Sequence, residues 1–155
     1  MQKKSFILII LFFLTSCGYE AIYSQKNFIK HNFSINQINF LGDRQTNIKI
    51  QQGLLVLKSP TATKTYNLEI KSESEKIITG KDAKGDAVSF ELEIKVFLII
   101  KEQSFQVDKK YIENFKYNNL EDKIELRNYE REIKLNLAEN ITNKIIFDIA
   151  KLDDN

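Results

Sequence analysis

The closing third of the chain constrains the fold most. Leu126, Tyr129, Ile133, Leu137, Ile141, Ile145, Ile149 and Leu152 recur every three or four residues, and Ala138 and Ile146 widen the stripe. Charged residues such as Glu130, Arg131, Lys134, Glu139 and Lys144 fall between them. This spacing predicts one long amphipathic helix from about Leu120 to Leu152. Its apolar stripe must be covered, either by the chain's own core or by a partner.

The middle of the chain supplies strands. Val88, Phe90, Leu92, Ile94 and Val96 alternate strictly with polar or small residues, and Phe97–Ile100 are apolar on both parities. Period-two alternation is the mark of a half-buried strand. Tyr66, Leu68 and Ile70 alternate before it, in a pattern that continues toward Ile78. The stretch from Thr79 to Asp86 reads as a turn-rich loop. A further strand is expected from about Phe105 to Tyr117, closed by an Asn-rich turn. Nearer the start, Phe33 and Ile35 alternate, then Ile38 and Phe40 alternate one position out of step. That slip predicts a bulged strand. Gly42-Asp43 ends it, with Asp43 as the N-cap of a helix over Arg44–Leu57 that Ser59-Pro60 closes.

The order is strand, helix, three strands, helix. Helices with one apolar stripe and strands with one apolar face make an α+β, two-layer sandwich, here two helices packed on a four-stranded, mostly antiparallel sheet. No linker or repeat divides residues 33–155, so they are read as a single α+β domain.

The first 32 residues read differently. Lys3 and Lys4 precede an uninterrupted apolar run from Phe6 to Leu14. Nine residues are too few to span a bilayer, which takes roughly 20, but they suit a signal-peptide core. The run ends in Leu14-Thr15-Ser16-Cys17, the pattern of a bacterial lipobox. On this reading residues 1–16 are a lipoprotein signal peptide. Cys17 takes a covalent diacylglycerol on sulfur and an N-acyl chain on its new amino group. Residues 17–32 form a lipidated tether. Three acyl chains at about 0.8 kcal/mol per buried methylene anchor a protein durably. Gly18 follows the Cys where Asp would signal inner-membrane retention, which points to the outer membrane of a Gram-negative cell. Tyr19 and Tyr23 suit either a membrane surface or packing on the domain. The alternatives are an ordinary secretory signal with an incidental Cys, or a buried first strand.

Chemistry is sparse. The chain holds one Cys and one His, too few for the usual zinc sites, so no metal is expected. No nucleotide-binding, metalloprotease or nucleophile-elbow motif occurs. Glu91 and Glu93 share one strand face, the pattern of a wet sheet surface, and His31 sits before the first strand. No catalytic residue, enzyme activity or resident cofactor is expected. The formal charge is +2, but Lys3 and Lys4 belong to the signal, which leaves 21 basic residues against 21 acidic ones. Only three of the 23 basic residues are Arg (Arg44, Arg127 and Arg131), whereas nucleic-acid readers favour Arg, so no nucleic-acid partner is expected. Lys81 and Lys84, in the Thr79–Asp86 loop, are candidate contacts for phosphate groups; the plain alternative is a soluble turn of balanced charge.

The opening Cys17-Gly18-Tyr19-Glu20-Ala21-Ile22-Tyr23 is similar to the start of the LptE family of outer-membrane lipopolysaccharide-assembly lipoproteins, with Ala21 in place of a Pro. The first strand running into Gly42-Asp43-Arg44 resembles the same family. So does the closing Tyr129-Glu130-Arg131-Glu132-Ile133 leading to Leu137-Ala138-Glu139-Asn140-Ile141. The resemblance implies two helices on a four-stranded sheet. It also implies a role as plug and folding partner of an LptD-like outer-membrane β-barrel, contact with lipopolysaccharide, and no covalent chemistry. Two other classes stay open at this stage. One is a lipid-anchored carrier of a small apolar ligand in its own pocket; the other is a lipid-anchored hydrolase of envelope polymers.

Overall fold

A computed structural model describes residues 33–103 and 105–153. The signal, the tether, Cys17 and His31 lie outside the described residues. The elements run β1 (Phe33–Gly42), α1 (Arg44–Leu54), β2 (Lys64–Lys81), β3 (Ala87–Lys101), β4 (Gln106–Asn118) and α2 (Lys123–Asp153). The sheet order is β1-β2-β3-β4. β1 pairs with β2 in parallel, and β2–β3 and β3–β4 are antiparallel. Both helices pack on one face, so the α+β two-layer sandwich read from the sequence is the fold.

The β1 bulge explains itself through side-chain parity. Ile35 pairs with Tyr66, Gln37 with Asn67 and Ile38 with Leu68, so the slip falls between Ile35 and Gln37. Without the extra residue, Ile38 and Phe40 would turn to solvent. With it, Phe33 and Ile35 are buried and Ile38 and Phe40 pack partly against the same core.

The core lies between the sheet and the helices. β3 contributes Phe90, Leu92, Ile94, Val96, Leu98 and Ile100 to it, and α2 contributes Leu126, Ile133, Leu137, Ile141, Ile145 and Ile149. Burying each such side chain is worth about 1.5–3 kcal/mol relative to exposure. The closing stripe is therefore covered by the chain's own sheet except at Tyr129, which stays 37% exposed. Ile124 and Phe147 fall off it and are 63% and 65% exposed. Asp122 caps α2, accepting from the backbone N–H of Ile124 and of Glu125, which starts the helix three residues later than its periodicity predicts.

Two further boundaries differ from expectation. The first helix stops at Leu54 and finishes as a 3-10 turn over Leu55–Leu57. The tighter period places Leu54 and Leu57 together in the core and leaves Leu55 and Val56 outside. Thr79–Lys81, expected in a loop, belong to β2. A bulge at Gly80 keeps the ladder going, and the hydroxyls of Thr79 and Ser89 bond across it at 2.9 Å.

Candidate functional site

β1 pairs with β2 only as far as Ser72, so the last nine residues of β2 extend beyond it with β3 as their sole strand neighbour on that side. The sheet is three-stranded there, since β4 stays paired with β3 as far as Ser89, and the β2–β3 turn lies at the sheet end opposite Phe33. From Lys64 to Lys81 the strand covers roughly 56 Å at about 3.3 Å per residue. Its tip is the turn Asp82–Asp86.

The tip is closed by local chemistry. The Asp82 carboxylate accepts from the backbone N–H of Lys84 and of Asp86, both at 2.9 Å. The N–H of Asp82 donates to the Asp86 carbonyl, and Gly85, at φ +90°, donates to the Asp82 carbonyl. Lys81 and Lys84 are both exposed, one on each side of Asp82. The structure therefore brings the two predicted lysines together at a solvent-facing hairpin end. Asp82 lies between them and Asp86 follows Lys84, and the carboxylate of Asp82 is engaged with backbone.

Beside this hairpin lies a second charged region that sequence reading missed. A cleft of about 450 Å³ opens between β2 and the first turns of α1 and α2, lined by Gln45, Ser74, Lys76, Arg127, Arg131 and Lys134 among others. Lys76 donates to Glu130 and sits 3.8 Å from the centre of the Phe90 ring. Glu130 also accepts from the Tyr117 hydroxyl at 2.9 Å. Burial and that carboxylate push the Tyr117 phenol above its ordinary value. Lys134 pairs with Asp43 at 3.1 Å. Arg127, Arg131 and Lys134 stand at i, i+4 and i+7 on one face of α2. That spacing is the signal the sequence offers for this cleft.

The acid pair noted in sequence lies on the open face of the sheet. Glu93 pairs with Lys95 and Glu91 with Lys116, the arrangement of a solvated surface. Among the described residues, no three His, Cys, Asp or Glu side chains gather as metal ligands, and no helix is long and apolar enough to cross a membrane.

No protein-family model and no curated protein matches the sequence. Solved structures do. The rare lipoprotein B of Shewanella oneidensis superposes with a TM-score of 0.56 at 14% identity, over 76% of this chain and 98% of that one. A protein of Caulobacter crescentus, provisionally described as a lipoprotein, gives 0.52 at 14% identity over 74% of this chain and 88% of its own. At that identity the likeness is one of fold.

Proposed function

We propose that the chain is a lipid-anchored, non-enzymatic outer-membrane subunit of lipopolysaccharide assembly, seated as plug and folding partner of an LptD-like β-barrel. Its anchor is the diacylglycerol and N-acyl chain on Cys17. Its place is the periplasmic side of a Gram-negative outer membrane, and its lipopolysaccharide contact is the hairpin tip carrying Lys81 and Lys84. The observation that carries the reading is a conjunction. The sequence opens with a lipobox at its only Cys, and the domain after it has the fold of a named lipoprotein along almost the whole of that protein's length.

Two physical features support it. A barrel interior is polar, and the open sheet face carries alternating charge, with Lys71 paired to Glu73 and Lys101 paired to Glu69. The tip lysines project from a turn that needs no other part of the protein to hold its shape, which suits contact with an anionic lipid headgroup. Gly18 supports the outer rather than the inner membrane.

The test is detergent co-purification of tagged protein from native envelopes, followed by mass spectrometry. A stoichiometric outer-membrane barrel is expected. Recovery of the protein alone, from an envelope that contains such a barrel, would overturn the reading and favour the carrier of a small apolar ligand. Cys17→Ser should abolish incorporation of labelled palmitate and release the protein from the membrane fraction. Lys81→Glu/Lys84→Glu should weaken lipopolysaccharide binding; binding equal to the parent protein would remove the tip from the contact.

A further inference from the structure

We propose that the cleft between β2 and the first turns of α2 is an oxyanion site for a phosphate or pyrophosphate group, with Arg127 and Arg131 as its forks. The inference stands on this cleft alone and does not need the lipopolysaccharide-assembly reading.

Charge bookkeeping comes first. Lys76, Arg127, Arg131 and Lys134 line the cleft. Two carboxylates engage two of these four cations: Glu130 takes Lys76 and Asp43 takes Lys134. The two guanidiniums remain. Among the described residues neither forms an ion pair, and Arg131 donates one long hydrogen bond, 3.5 Å, to the Asn128 side chain. Two exposed guanidiniums without an ion pair therefore border a concave surface whose lining also holds the Glu130 carboxylate, already engaged by Lys76 and the Tyr117 hydroxyl.

Geometry comes second. Residues four apart on a helix rise about 6 Å and share a face. Two guanidiniums so placed can converge on one tetrahedral oxyanion, each with two parallel N–H donors. The neighbouring Lys76 is held by Glu130 and by the face of Phe90, which leaves the two guanidiniums as the cations without an ion pair at the opening. Gln45, Ser74 and Asn128 supply neutral polar groups around the same opening.

Residue choice comes third. The chain meets its need for cations with Lys in 20 of 23 cases. Two of its three Arg stand one helical turn apart at this cleft. A solvated helix face would be served equally by Lys, whereas a bidentate oxyanion contact would not.

The experiment uses the full chain in detergent micelles, titrated with millimolar inorganic pyrophosphate. It reads the Nε–H resonances of the three arginines and the melting temperature. Movement of the Arg127 and Arg131 resonances, with Arg44 unmoved, and a rise in melting temperature are expected. Arg127→Gln/Arg131→Gln should weaken binding at least about tenfold, Arg127→Lys/Arg131→Lys by less, and Lys58→Gln/Lys110→Gln, which removes two exposed cations away from the cleft, not at all. The same resonances are then followed in phosphatidylcholine nanodiscs with and without phosphatidic acid. A response to free pyrophosphate assigns the site to a soluble phosphate compound. A response to phosphatidic acid alone assigns it to a lipid headgroup. The proposal falls if neither probe moves the two resonances, or if Arg127→Gln/Arg131→Gln and Lys58→Gln/Lys110→Gln lose binding equally, which would mean diffuse attraction rather than a site.

Discussion

Two corners of this molecule are built from the same pair of residue types and behave as opposites. At the end of β1, Gly42 adopts φ +92° and the Asp43 carboxylate accepts from the backbone N–H of Thr46 at 2.9 Å. At the hairpin tip, Gly85 adopts φ +90° and the Asp82 carboxylate accepts from two backbone N–H groups. The difference lies in what surrounds them. A Cβ on Gly42 would stand 1.8 Å from the Ser72 carbonyl oxygen, whereas one on Gly85 would meet nothing within 4 Å. Asp43 also holds Lys134 of α2, and its backbone carbonyl takes the Ser72 hydroxyl of β2. That hydroxyl bonds Asn47 of α1 at 2.7 Å, and Asn47 donates on to the Leu41 carbonyl of β1. One corner joins four elements and the other joins only itself. A local motif thus predicts a turn, while its energetic weight comes from its neighbours.

Substitution at the first corner should have the largest effect. Gly42→Ala combines an unfavourable backbone region with a collision against backbone that cannot swing aside, and should cost about 3–5 kcal/mol. Denaturant unfolding measures it, and a loss below that of Gly85→Ala would erase the contrast. Asp43→Ala removes a helix cap and leaves Lys134 without its carboxylate. A loss of about 2 kcal/mol is expected, larger than that from Asp82→Ala, whose partners lie within one exposed turn. Gly85→Ala pays only for its left-handed backbone, about 1 kcal/mol. Lys81→Gln/Lys84→Gln should leave stability within about 0.5 kcal/mol of the parent protein, so any functional loss there reports contact rather than folding.

Acid sharpens the same comparison. Burial pushes the Asp43 carboxyl up, but the Thr46 N–H, the Thr46 side chain and the Lys134 ammonium together outweigh it, and the group titrates below its ordinary value. A carboxyl with a depressed folded-state pKa contributes stability above its unfolded-state value of about 4 and loses that contribution as pH falls through the folded-state value. The melting temperature of the parent protein should therefore drop more steeply below about pH 4 than that of Asp43→Asn. Parallel curves would show that the corner does not carry the linkage.

Much of this architecture is legible in residue order because it depends on parity. The bulge in β1 follows from the slip between Ile35 and Ile38, and the buried face of β3 from its even-numbered residues. The cap at Asp43 follows from a side chain that suits it. What parity cannot carry is pairing and distance. The parallel match of β1 to β2 needs α1 to cross over. The 3-10 finish of that helix answers to the packing of Leu54 and Leu57. The approach of α1 to α2, so close that a Cβ on Gly53 would lie 2.4 Å from the Thr142 methyl, is set by two segments nearly ninety residues apart in sequence. The arginine cleft was missed for the same reason. Its helical spacing was visible, but Gln45, Ser74 and Lys76 come to it from other elements.

The parallel pairing of β1 with β2 also decides how the domain bears force. The chain enters β1 at Phe33, opposite Lys64, and the hairpin tip lies at the far end of β2. A pull between those two points runs along both strands. It loads the hydrogen bonds from Phe33 to Gly42 together, in shear, instead of peeling them one after another. Tension between the N-terminal end and the tip is then resisted by the whole ladder at once.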